Sequence, residues 1–297
     1  MEPNFIVIGA PKAATTSVCA ILDEHPEVYL FPRKGTQFFD RWYDNGWEWY
    51  CSLFKDAGSA KAIGEGSASY SAGTSDSPVP ARIARHLPGA KLIYMVRHPL
   101  KRIESHYAQQ IDNGMTFSGL CEAVRTFPPL IEASRYWTRL NDFRRHFPDA
   151  QILVLFFEDF VSDQRAVMRR VYDFLGVDAS FEPDAEEIRR NTRADKRTDG
   201  AVLRWLRRRR SFLRLHWATP TWLTDRLKPL LRRRIEVPIE WDDETRRWAL
   251  AQVLPDVGPL LAHCGKPRDF WGPDLAADAL SAVERAGLSI VASGGAS

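Results

Sequence analysis

At 297 residues the chain sits at the upper end of what one hydrophobic core organises, so one large domain or two small ones are both open. A composition of 44% hydrophobic, 27% charged and 11% aromatic residues excludes wholesale disorder, a collagen-like fibre and a small disulfide scaffold. With 41 Lys and Arg against 38 Asp and Glu the net charge is +3, too mild for a general nucleic-acid binder. Any preference for anions must come from local clustering.

The four cysteines, Cys19, Cys51, Cys121 and Cys264, are scattered without a C-x-x-C pair or zinc spacing, and read as reduced thiols. No stretch approaches the roughly 20 apolar residues of a membrane span. The first apolar run, Phe5 to Ile8, is cut short by Pro11-Lys12, unlike a signal peptide. A cytoplasmic location is the expectation.

In chain order, short apolar runs alternate with helical patterns, the mark of an α/β fold with a central, mostly parallel sheet flanked by helices. The strands are expected at Asn4–Gly9, Ala62–Glu65, Lys91–Val96 and Gln151–Phe156, apolar on both faces as doubly covered strands should be. Helices are expected near 15–24, 46–54, 79–87, 99–113, 130–147 and 162–175. In the last, Val167, Val171, Phe174 and Leu175 form one stripe and Gly176 supplies a stop. From about 197 the chain turns basic, with Arg204, Arg207–Arg210, Arg214, Arg226, Lys228 and Arg232–Arg234 interleaved with Trp205, Trp217 and Trp222. Within the basic segment 197–240, two readings stand for 204–234: a solvated helix pair with Trp side chains buried against the sheet, or a basic lid that attracts an anionic or lipid-like acceptor. A helix near 243–264 should kink or restart at Pro255. A single domain over 1–271 and a frayed Ala/Gly/Ser-rich tail over 272–297 complete the expected layout.

The most informative segment is Phe5-Ile6-Val7-Ile8-Gly9-Ala10-Pro11-Lys12-Ala13-Ala14-Thr15-Thr16-Ser17. A buried strand enters a small-residue loop with one Lys, then a helix opened by hydroxyl residues. Unpaired N–H groups and the helix dipole make such an end an anion cradle, and small side chains permit close approach. The order G-x-x-x-x-G-K-[ST] is absent, so this is no Walker A loop. The plainer alternative is an ordinary strand–turn–helix connection with a surface Lys. A second candidate is the strand 91–96 ending in Arg97-His98-Pro99, with Pro99 suited to a first helical turn. On that helix Ser105 lies about 140° from Leu100, away from the core stripe. Arg97 and Ser105 could converge on a phosphate at the carboxyl end of the sheet; the plainer alternative is a structural Arg beside an exposed Ser.

Together the two segments resemble the PAPS-dependent sulfotransferases (PAPS is 3′-phosphoadenosine 5′-phosphosulfate). The loop Pro11–Ser17 looks like their 5′-phosphosulfate loop, and Arg97-His98-Pro99…Arg102…Ser105-His106-Tyr107 is similar to their 3′-phosphate motif, R-[ND]-P…R…S-x-Y. Weaker echoes are Gln37-Phe38-Phe39-Asp40, Gly64-Glu65-x-Ser67…Tyr70, Phe157-Glu158-Asp159-Phe160, Phe174-Leu175-Gly176-Val177 and Gly265…Trp271. The pattern is nearer the carbohydrate and bacterial natural-product branch. Three positions depart from it: Ala14 stands for a usual Gly, His98 for Asn or Asp, and Gly35 for the Glu that serves related enzymes as general base.

The resemblance implies a P-loop-like fold and transfer of a sulfuryl group from PAPS, leaving PAP, to a hydroxyl or amine of a small-molecule, lipid or carbohydrate acceptor. No metal and no nucleic acid are called for, and a homodimer stays open. Lys12 would stabilise the departing phosphate, with Ala13, Ala14, Thr15, Thr16 and Ser17 cradling it. Arg97 and Ser105 would hold the 3′-phosphate, with Arg197 as a further contact. With Gly35 at the usual Glu position, Glu65 is the first candidate for the base, and its plainer alternative is a structural carboxylate neutralising Lys12 or an Arg; Asp40 and His106 are weaker candidates, and an acidic acceptor such as a phenol would need little help. Competing readings are a PAP-binding protein without turnover and a P-loop kinase-like ATP enzyme.

Overall fold

The computed structural model describes residues 1–74, 76–183, 198–199, 232–233 and 238–276. Five strands, β1 (Phe5–Gly9), β2 (Val28–Leu30), β3 (Ala62–Glu65), β4 (Lys91–Val96) and β5 (Ile152–Phe156), form one sheet in the order β2-β3-β1-β4-β5. All four pairings are parallel. Every residue of β1 is buried, as a strand covered on both faces requires. The expected α/β architecture is therefore the observed one. Sequence reading passes over β2 because its three residues are too short to show a period.

Among the described residues the α-helices are α1 (Thr15–Asp23), α2 (Trp47–Ser52), α3 (Val79–His86), α4 (Pro99–Asp112), α5 (Leu120–Thr126), α6 (Pro129–Glu132), α7 (Tyr136–Arg144), α8 (Phe157–Ser162), α9 (Gln164–Leu175) and α10 (Asp243–His263). Local signals set several ends: the Asp163 side chain caps α9 by accepting from Ala166 N, and Gly176 closes it at φ 80°. The expected helix over 130–147 is instead two, α6 and α7, with the fully buried Ser134 in the break accepting a 2.6 Å hydrogen bond from Arg102 Nε. Pro255 does not end α10, which continues through both Pro255 and Pro259. Burial of Val253, Leu254, Val257, Leu260 and Leu261 holds the helix against the missing backbone donors. Ordered packing also runs past Trp271, since Leu275 is buried and Asp274 pairs with Arg246. The 277–297 part of the expected tail lies outside the described residues.

This topology positions the site. β1 lies between β3 and β4, with Phe5, Ile6 and Val7 in register with Lys91, Leu92 and Ile93. The connections leaving the carboxyl ends of β1 and β4 must emerge side by side, where open parallel sheets bind ligands.

Candidate functional site

The loop after β1 is fastened to β4 by Ala10 N, which donates to Met95 O at 2.6 Å, and is tightened by Ala13 N donating to Ala10 O at 3.2 Å. Lys12 and Ala14 hold φ of 69° and 67°, left-handed values that side chains disfavour. That explains why a Gly is usual where Ala14 stands. Ala14 is the N-cap of α1 and supplies no capping side chain, and no acid occupies the first turn. Ser17 N is taken up by Ala14 O at 3.0 Å, which leaves the Thr15 and Thr16 N–H groups and hydroxyls at the helix start after Lys12, an arrangement that fits a phosphate or sulfate.

Arg97 stands at the end of β4 and meets this loop: its Nη1 donates to Lys12 O at 3.4 Å, and its guanidinium lies 4.3 Å over the Phe157 ring. Tyr136 OH fixes the backbone beneath it by donating to Arg97 O at 2.7 Å. Residues 85 apart in sequence are thus neighbours. Pro99 opens α4 as expected, and Ser105 sits half-buried on that helix. The next residue, His106, is buried between Arg102 Nη1 (3.1 Å) and Gln110 Nε2 (2.8 Å). Burial and the charges of Arg102 and Lys12 push its pKa down to about 3, so the ring is neutral and α4 lies within the field of Lys12.

A further cation enters from the segment between β2 and α2. Lys34 Nζ donates to Thr16 Oγ1 at 2.6 Å and Thr15 Oγ1 at 3.2 Å, placing an ammonium at the start of α1. The sequence reading does not select Lys34. Its signal is the Lys immediately before Gly35 in the 34–39 motif, but only the fold shows that it reaches α1.

Glu65, the expected base, is fully buried. Its Oε2 accepts from Thr36 N (2.5 Å) and Ser67 Oγ (2.6 Å), and its Oε1 from Thr36 Oγ1 (2.7 Å), Tyr70 OH (2.9 Å) and Tyr50 OH (3.0 Å). Desolvation raises its pKa and outweighs the lowering by the hydrogen bonds from Ser67, Thr36 and Tyr70. A general base must reach the proton that it removes; a carboxylate enclosed by five donors is an architectural anchor instead. Gly35 is equally constrained, because a Cβ there would lie 2.8 Å from both Gly66 O and Ser67 Oγ. His106, with its depressed pKa and two polar neighbours, does not suit a base either. Arg197 and most of the basic 197–240 stretch lie outside the described residues.

Residues 77–183 match the model of the sulfotransferase family. Human heparan sulfate glucosamine 3-O-sulfotransferase 3B1 is 33% identical over 184 residues, 59% of this chain and 46% of that protein. The membrane-associated sulfotransferase kil1 of Dictyostelium discoideum is 37% identical over 108 residues, 35% of this chain and 22% of its own. The chain thus spans less than half the length of these relatives. A sulfotransferase from Alicyclobacillus acidocaldarius superposes with a TM-score of 0.66 at 21% identity, covering 91% of this chain and 99% of that one. The parallel sheet, the family match and this superposition agree: the chain has the fold of the PAPS-dependent sulfotransferases, the family that its two motifs resemble.

Proposed function

We propose that the chain transfers the sulfuryl group of PAPS to a hydroxyl or amine, with a carbohydrate hydroxyl as the acceptor class favoured by the heparan sulfate sulfotransferases among its relatives. The observation that carries this reading is the meeting of Arg97 with the Lys12 loop, at the adjoining starts of α1 and α4. One bound molecule with two separated anionic groups spans such a pair of cradles.

Bound PAPS would supply an electrophilic sulfuryl group and a phosphate as leaving group. Lys12, Lys34 and the amino terminus of α1 would neutralise the charge that collects there; fixed donors of this kind act without reorganising during the reaction. Arg97, its guanidinium braced on Phe157, would hold the 3′-phosphate with its planar fork, and Ser105 would add a hydroxyl. The acceptor proton needs another destination than Glu65. Asp40, the first carboxylate after Gly35 on the same segment and exposed, is assigned this role; desolvation raises its pKa from the ordinary aspartate value, which strengthens it as a base.

The test is calorimetric titration of the full chain with PAP in the presence of a metal chelator, followed by detection of PAP release from PAPS with a panel of oligosaccharides. PAP binding without metal and acceptor-dependent release support the reading. Binding of ATP only with Mg²⁺ overturns it in favour of a kinase. PAP binding with no release for any acceptor favours a nucleotide-binding protein without turnover.

A further inference from the structure

We propose that Glu65 is a positioning residue: its buried carboxylate holds the 34–37 loop so that the Lys34 ammonium stands at the amino-terminal hydroxyls of α1. The inference rests on the sulfuryl-transfer reading and extends it to a residue that never touches the nucleotide.

The argument follows the hydrogen bonds outward. Thr36 donates to Glu65 twice, through its backbone N at 2.5 Å and its hydroxyl at 2.7 Å. Ser67 donates to Glu65 at 2.6 Å and in turn accepts from Gln37 N at 2.9 Å. Gly66 N donates to Lys34 O at 2.5 Å, so the chain leaving β3 is stitched to the 34–37 loop at three successive places. Between the stitches Gly35 lies too close to Gly66 and Ser67 for any Cβ. Tyr50 and Tyr70 complete the shell of donors around the carboxylate from the aromatic layer behind it. On the open side of this hub Lys34 adopts φ 70°, a backbone that needs surrounding contacts to persist in a residue with a side chain. From there its Nζ reaches Thr15 and Thr16.

Glutamine at position 65 would turn one acceptor oxygen into an N–H₂ group facing donors, and the stitches would loosen. Lys34 would then lose its seat while Lys12 and Arg97, in the connections after β1 and β4, kept theirs. A carboxylate with only a bulk structural role would affect stability without depending on Lys34.

The experiment is a double-mutant cycle on PAPS affinity by calorimetry in the full chain, with Lys34→Met, Glu65→Gln and the pair, alongside thermal unfolding of each. Each single change is expected to weaken PAPS about tenfold, the scale of a charge-assisted hydrogen bond, and the double variant no more than about twofold further. If Glu65→Gln does not fold, Ser67→Ala, which removes one donor and the Gln37 stitch, takes its place with a smaller loss, again absent in the Lys34→Met background. Losses that multiply to about a hundredfold, or unchanged PAPS affinity in folded Glu65→Gln, overturn the inference. Failure of the wild-type chain to bind PAPS overturns the underlying reading instead.

Discussion

Alanine at position 35 separates two explanations of why this chain lacks a glutamate there. If the position were merely vacant, a methyl group would fit. The structure says otherwise: the added Cβ would sit 2.8 Å from Gly66 O and 2.8 Å from Ser67 Oγ, and the first is backbone that cannot rotate away. Overpacking of this kind costs about 1–3 kcal/mol. Reduced freedom of the unfolded chain returns about 0.4–1 kcal/mol, leaving a net loss of about 1–2 kcal/mol. For a domain of this size that is a fall in Tm on the order of 2–8 °C. Gly89→Ala is the internal control, since nothing lies within 4 Å of its added Cβ, and it should be neutral or slightly stabilising. Differential scanning calorimetry of both variants gives the answer. A Gly35→Ala protein as stable as Gly89→Ala would refute the argument that the 34–37 loop is pinned against β3. By the same reasoning Gly35→Glu should not create a working base.

Arg97→Ala should weaken PAP binding about 10–100-fold by calorimetry, with Tm little changed because the guanidinium is only partly buried; unchanged affinity would remove Arg97 from the nucleotide site. Ala14→Gly relieves a left-handed alanine at φ 67°, worth about 1–2 kcal/mol, against a similar entropic cost of glycine, so Tm should move by only a few degrees. A large destabilisation would contradict the assigned loop geometry. His106 should stay neutral through most of the acid range, because its pKa lies at about 3 against an ordinary 6.5. An unfolded chain binds the proton that the folded one refuses, so this residue makes stability fall as pH drops from 6.5 towards 3. Ring NMR shifts that titrate with a midpoint above pH 5 would refute it.

The strands β1, β3, β4 and β5 and the helices that follow β1 and β4 were legible in the chain because their signals are local. An apolar run covered on both faces, a proline in the first turn and a glycine stop each act within a few residues. The two motifs were legible for the same reason: a phosphate cradle is a strand end joined to a helix start, and both are contiguous in sequence. What Glu65 does was not legible. Its acceptors are filled by Thr36, 29 residues away, and by Tyr50 and Tyr70 from two other elements, so a conspicuous carboxylate at a strand end became a buried anchor only when β3 met the 34–37 loop. Lys34 follows the same logic, since its reach to Thr15 and Thr16 depends on how that loop is pinned. The chain by itself determined a parallel α/β sheet with two candidate anion-binding turns, because backbone periodicity and helix ends are written residue by residue. The tertiary structure alone decided which charged side chains stand at the start of α1 and which are sealed in the interior, because burial and hydrogen-bond saturation belong to contacts between segments that sequence keeps apart.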